Sequence, residues 1–220
     1  QIDLRDADDV SVLFDQFKFD GVINAFGIKG SPIRVKERPI EYLEPSLKVN
    51  MNITDNCVKH DCWLVYMSSV GVYQPAEVFV EDTVWSTFPS KKDWYGGWSK
   101  RIPELYLEAY KVQEGYDKYT IVRPANIFGE YDNFGEEKLH ITSNLGSGEE
   151  ISIKQMIETV IEVSGKDIKI NWDSTKPNGD ARRLMSTDIQ KKYGLLPKLG
   201  FKDGIKNTYN FYKENGQKSV

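Results

Sequence analysis

Trp63-Leu64-Val65-Tyr66-Met67-Ser68-Ser69 is the stretch whose reading decides the fold. Five consecutive apolar residues suit a strand and are short for a helix, and they run directly into a pair of hydroxyls. An apolar run without polar alternation is the pattern of a strand covered on both faces, as in a parallel sheet. Upstream, Glu41 to His60 carries apolar residues at helical intervals. Before that, Gly21-Val22-Ile23-Asn24-Ala25 repeats the short buried-strand pattern and is itself preceded by a helical stretch, Val10 to Phe19. Downstream, Ser99 to Glu114 reads as an amphipathic helix and Tyr119-Thr120-Ile121-Val122-Arg123-Pro124 as a strand stopped by proline. Strands alternating with helices of this length predict an α/β fold, a doubly wound parallel sheet with helices on both faces.

In such sheets ligands bind beyond the carboxyl ends of the strands. Three predicted strand ends carry small or polar residues: Asn24 to Gly27, Ser68-Ser69, and Arg123 to Asn126. The last third changes character. Ile151 to Val163 reads as a helix, Ile168 to Trp172 as a short strand, Lys176 to Gly179 as a turn and Gly204 to Tyr212 as a closing helix, which together suggest a small α+β lobe. We therefore expect residues 1–135 to carry the parallel sheet and residues 136–220 mainly a smaller lobe.

Composition narrows the function classes. The 220 residues are 40% apolar and 28% charged, with the charges interspersed and a net charge of -4, so no nucleic-acid surface is expected. Cys57 and Cys62 lack the spacing of a zinc site and are too few for a disulfide framework, which fits ordinary thiols in the cytoplasm. No apolar run reaches the roughly 20 residues of a membrane helix, so no membrane partner is expected. The start at Gln1 is neither a signal peptide nor an initiator, and we expect a longer parent chain. His60 and His140 lie in contexts that suggest no ligand role, and no metal site is expected.

The order of signals matters more than any one of them: Ser68-Ser69 at a strand end, then Val72-Tyr73, then Tyr95 to Lys100 opening a helix, then Arg123-Pro124-Ala125-Asn126. In this order the chain resembles the extended short-chain dehydrogenase/reductases, the NAD-dependent epimerase/dehydratase enzymes of nucleotide sugars. Asp3-Leu4 is similar to the family's pair at the adenine, and Asn24-Ala25-Phe26-Gly27 to its loop over the dinucleotide. Ser69-Val70-Gly71-Val72-Tyr73 resembles its serine strand end, Arg123 to Gly129 its Arg-Pro-x-Asn-x-Tyr-Gly segment, and Asn144-Leu145-Gly146-Ser147-Gly148 its entry to the substrate lobe.

The resemblance implies a Rossmann-like fold and NAD or NADP, held by Asp3, Leu4, Ala25, Phe26, Gly27, Asn50, Ser68, Pro124 and Ile127. It further implies a nucleotide-sugar substrate touched by Val70, Asn126 and Arg182, and a homodimer formed through the helices Glu41 to His60 and Ser99 to Glu114. Lys176-Pro177-Asn178-Gly179 through Arg182, with Tyr131-Asp132-Asn133-Phe134, is nearest to the GDP-fucose synthase branch, although Gly71 and Tyr131 stand where that branch has its cysteine and histidine. The first strand, helix and strand of the family's domain, with its glycine-rich pyrophosphate turn, have no counterpart before Asp3.

The residue types suit hydride transfer at a sugar carbon. A base must take the hydroxyl proton, and a tyrosine can do so near neutrality only if its usual pKa, about 10, is lowered. A lysine ammonium favours phenolate, and a serine hydroxyl can donate to the sugar oxygen. Tyr95, Lys100 and Ser69 are the expected catalytic residues, with C4 oxidation or reduction of a GDP-linked hexose or heptose as the expected chemistry. Their spacing departs from the family's: Tyr95 and Lys100 are five apart and diverge by roughly 140° on a regular helix, so they meet only if Gly96-Gly97 lies outside the helix or in a bulge. The rival expectation is a non-catalytic dinucleotide or nucleotide-sugar binding protein, with Tyr95 packed as an ordinary aromatic residue.

Overall fold

The structure, a computed structural model, describes residues 2–28, 30, 32–125, 127, 142–173, 175 and 182–215. Asp6 opens the first helix, α1 (Ala7–Gln16), by accepting the backbone N–H groups of Asp8 and Asp9 at 2.9 and 3.2 Å. The helix therefore begins and ends three residues earlier than the expected Val10–Phe19. Its cap fixes the start, whereas the apolar pattern becomes visible only at Val10. There follow β1 (Gly21–Asn24), α2 (Pro32–Glu37), α3 (Ile40–Lys59), β2 (Trp63–Met67), β3 (Val78–Phe79), α4 (Trp94–Glu114), β4 (Tyr119–Pro124) and β5 (Thr142–Leu145). The chain continues with α5 (Ile153–Ser164), β6 (Leu184–Met185), α6 (Asp188–Lys192) and α7 (Phe201–Asn215).

The main sheet has the order β1-β2-β4-β5, and every pair is parallel, with Val22 opposite Leu64, Leu64 opposite Tyr119 and Ile121 opposite Thr142. This is the parallel α/β architecture expected from the sequence. Among the described residues β1 is an edge, and Ile23 on it is 64% exposed. The core gathers Val10 and Phe14 of α1, Val49, Ile53 and Cys57 of α3, Leu64 and Tyr66 of β2, Leu107 of α4, and Tyr119 and Ile121 of β4. Cys57 and Cys62 are free and buried, and the neighbouring Cys62, together with burial, pushes the Cys57 thiol up. A second cluster of Val70, Val72, Tyr73, Phe79, Val84 and Met185 sits under the parallel pair β3–β6.

Three differences from the sequence reading have physical causes. Ile168 to Trp172 forms no strand: Ile168 and Trp172 are about half exposed, and no ladder partner stands beside them among the described residues. The strands β3, β5 and β6 were not expected, since each is short and made by its partner rather than by an apolar pattern. Finally, α4 begins at Trp94 instead of Ser99, so Gly96 and Gly97 lie inside it. The turn expected at Lys176 to Gly179 lies outside the described residues. α5 opens with a capping box between Ser152 and Gln155 and packs on α7, where Lys202 pairs with Glu162 at 2.5 Å. Among the described residues no helix is long and apolar enough to cross a membrane.

Candidate active site

The carboxyl ends of β1 and β2 are tied together by one side chain from α4. Lys100 Nζ donates to the carbonyl of Phe26 at 2.7 Å and to that of Met67 at 2.8 Å. Gly27 lies against this side chain, where a Cβ would stand in ordinary contact with it, 3.5 Å from Nζ. Burial holds the Lys100 pKa down to about 8, against an opposing pull from Glu104. The folded protein therefore sheds this proton near pH 8, whereas the unfolded chain keeps it to about 10.4. Between those values unfolding takes up a proton, so stability from this group rises with pH. Relative to Lys100→Met, wild type should gain stability from pH 8 to 10 with a slope of up to about 1.4 kcal/mol per pH unit, read from urea midpoints. Equal slopes would mean that Lys100 titrates normally.

The loop after β1 is shaped by two buried amides. Asn24 donates to Asn50 Oδ1 at 2.8 Å and accepts the N–H of Phe26 at 3.1 Å, while Asn50 Nδ2 donates to the Ser46 carbonyl at 2.7 Å. Asn50, expected at the cofactor, is fully buried and braces the loop from behind. Ala25 and Gly27 of that loop are exposed, and Phe26 is half-buried.

At the end of β2 the two serines part. Ser68 is buried and donates inward to Glu104, while the Ser69 hydroxyl accepts the Gly71 N–H at 3.0 Å. Val70, expected at the substrate, packs its side chain into the second cluster at 7% exposure. Because α4 runs unbroken through Gly96-Gly97, the helical period separates Tyr95 from the Lys100 face. The condition under which the two could meet is not fulfilled by the helix. Tyr95 is itself half-buried near the start of α4.

Asp93, which the sequence did not single out, lies here instead. It is the N-cap of α4, yet its side chain makes no capping bond. Its carboxylate fills the spaces left by two glycines: Oδ2 is 2.8 Å from where a Gly71 Cβ would stand, and Oδ1 occupies the corresponding place at Gly96. Ser69 Oγ borders the same space, 3.4 Å from the Gly71 position. The signal was present as two glycines, Gly71 and Gly96, but only their juxtaposition gives it meaning.

Behind these groups runs a buried polar network. Arg123 is 2% exposed and Glu104 fully buried, and they pair through two bonds, Nε to Oε1 at 3.0 Å and Nη2 to Oε2 at 2.6 Å. Arg123 Nη1 also donates to the Tyr73 hydroxyl at 3.1 Å and the Glu81 carbonyl at 2.9 Å. Tyr73 donates to Asn144 Oδ1 at 2.5 Å, and Asn144 in turn holds Phe79 and Ser186. Burial raises the Tyr73 pKa to about 12, partly opposed by Arg123, so its hydroxyl stays a donor. The same chain of bonds joins β4, α4, β5 and β3, and reaches Ser186 just past β6.

Other expected residues are more dispersed. Asp3, Leu4 and Phe26 share a cleft of about 670 Å³ with Arg5, Pro45 and Val49. Arg5 grips the Asp3 carboxylate with two nitrogens and holds its pKa down to about 2. Pro124 is half-buried and Ile127 is 46% exposed. Asn126, Tyr131 to Phe134 and His140 lie outside the described residues. Arg182 is exposed and forms a two-bond pair with Glu150, at 2.6 and 2.8 Å, so an incoming phosphate would compete with a carboxylate. No cluster with the makings of a metal site occurs among the described residues.

Comparison with known proteins matches residues 1–165 to the model of the NAD dependent epimerase/dehydratase family. GDP-L-fucose synthase 1 of Arabidopsis thaliana is 24% identical, covering 98% of this chain and 83% of the relative. Among solved structures, a GDP-6-OMe-4-keto-L-xylo-heptose reductase from C. jejuni superposes with a TM-score of 0.85 at 16% identity, over 97% of this chain and 88% of that one. The UDP-glucose 4-epimerase of Thermus thermophilus, in complex with NAD, superposes with a TM-score of 0.82 at 20% identity, over 97% and 84% of the two chains.

Proposed function

We propose that this chain, which belongs to the NAD dependent epimerase/dehydratase family, is an NAD(P)-dependent enzyme of nucleotide sugars. Its chemistry is hydride transfer at C4 of a hexose or heptose, with a GDP-linked sugar preferred. The observation that carries the reading is the Lys100 bridge, which draws the β1 loop, the end of β2 and the start of α4 around one space at the carboxyl edge of a parallel sheet. The GDP preference is supported by the GDP-sugar relatives, a fucose synthase by sequence and a heptose reductase by fold.

The cleft at the amino-terminal segment fits the dinucleotide. Leu4, Phe26 and Val49 supply apolar walls, Asp3 a carboxylate, and the volume of about 670 Å³ lies in the range of small-molecule sites. Asp3, Leu4, Ala25, Phe26 and Gly27 would hold the cofactor from one side, with Asn50 setting the loop. When bound, the nicotinamide supplies the acceptor or donor of hydride. The chain supplies the rest: Ser69 donates to the sugar oxygen, Lys100 provides positive charge, and Asp93 at the start of α4 lines the place where the hydroxyl proton must go. Arg182, released from Glu150, would take the diphosphate through paired charge-assisted bonds. We also infer a homodimer across α3 and α4, supported by Leu105 and Val112, which are 53% and 88% exposed on α4, and a place in the cytoplasm.

The test is reduced-cofactor absorbance during incubation with NAD or NADP and a panel of GDP-, UDP- and dTDP-hexoses and heptoses. One sugar should change the absorbance, and Ser69→Ala should slow that change. Binding without any altered sugar, by mass or NMR, would establish the non-catalytic reading instead.

A further inference from the structure

We propose that Asp93 is the acid–base group of this site, the residue that takes and returns the proton of the sugar hydroxyl. The inference rests on the nucleotide-sugar reading above and deepens it. Two features of the geometry point the same way. Gly96 lies four residues before Lys100 and so shares its face of α4, and the Asp93 carboxylate stands where a Gly96 side chain would begin. The same carboxylate reaches across to Gly71, where Ser69 Oγ borders the space from the other side.

Both glycines are needed for the arrangement. Any side chain at Gly71 or Gly96 would displace the carboxylate from between Ser69 and the Lys100 face. Tyr95 cannot take the same place, because one helical step of about 100° turns it away from the Gly96 direction.

The step balances simply. The sugar carbinol is oxidised to the ketone as its hydroxyl proton passes to an Asp93 oxygen and its hydride leaves to the oxidised nicotinamide, which is reduced. The reverse step returns the proton from Asp93 to the nascent alkoxide. Ser69 donates to that oxygen throughout. The carboxylate accepts the proton in the oxidative direction, and its carboxyl form gives it back in the reductive one.

Two variants and two readouts test this. Asp93→Ala opens a cavity beside two glycines, and Asp93→Asn keeps the shape without the charge. By calorimetry with no cofactor present, Asp93→Ala should bind the sugar-bearing nucleotide about tenfold or more weakly, as befits a lost hydrogen bond to a charged group. It should bind the bare nucleoside diphosphate as wild type does. In turnover, both variants should lose about 10²- to 10⁴-fold in kcat. Added formate should restore Asp93→Ala by at least tenfold, leaving wild type unchanged. Retention of a tenth or more of kcat by either variant, or undiminished sugar-nucleotide affinity, or no rescue by formate, would overturn the assignment while the enzyme reading stands. A wild type inert towards every sugar of the panel would overturn both.

Discussion

Glu104→Ala should be among the most destabilising substitutions in this protein, lowering unfolding free energy by about 3–5 kcal/mol. Glu104 is fully buried, and its removal leaves the Arg123 guanidinium charged at 2% exposure with Nε and Nη2 unpaired. The inward hydroxyl of Ser68 loses its acceptor at the same time. An orphaned buried charge costs far more than the net worth of the pair. Replacing both partners by apolar residues, Glu104→Leu with Arg123→Met, should therefore cost less than the two single changes added together, with a coupling of about 0.5–3 kcal/mol. It should still cost something, since Tyr73 and the Glu81 carbonyl lose a donor. Urea midpoints of the three variants at unchanged slope would decide it, and strict additivity would show that the pair is not coupled.

Gly97→Ala is the second large effect, and its sign runs against helix propensity. Alanine gains about 1 kcal/mol over glycine inside a helix. Here the added Cβ would stand 2.5 Å from the Gly71 carbonyl and 2.5 Å from the Pro89 Cβ. Neither neighbour is the end of a flexible chain, so the first turn of α4 or the Ser69–Gly71 turn must move. Overpacking of this kind costs about 1–3 kcal/mol, and we expect a net loss of stability of that order. Turnover should fall as well, because Gly71 donates to Ser69 Oγ and any shift carries that hydroxyl with it. A variant more stable than wild type would show that the contact relaxes without strain.

The candidate site was half legible in the sequence. Ser69 and Lys100 could be placed because each follows or opens an element with a clear period: the apolar run Trp63 to Met67 for the serine, and the amphipathic helix ending at Glu114 for the lysine. Asp93 was not visible. It precedes a Trp-Tyr-Gly-Gly run that stands ahead of the amphipathic pattern from Ser99, and nothing local shows that the helix begins at Trp94. The spacing of Tyr95 and Lys100 did carry a warning, and the unbroken helix gives it force.

The pattern of apolar runs and helical periods by itself determined the parallel sheet β1-β2-β4, the helices α3 and α4, and the polar strand ends, because burial on both faces imprints an apolar run directly on the chain. Which side chains meet at those ends was decided by the tertiary structure alone. β5 is a strand only because β4 offers it an edge, Ile168 to Trp172 is not one because nothing among the described residues does, and the Asp93 carboxylate sits between Ser69 and the Lys100 face only because two glycines, 25 positions apart in the chain, leave the same space empty. Periodicity records how each segment meets the core. Contacts between segments, and the room left by a missing Cβ, exist only once the segments are packed.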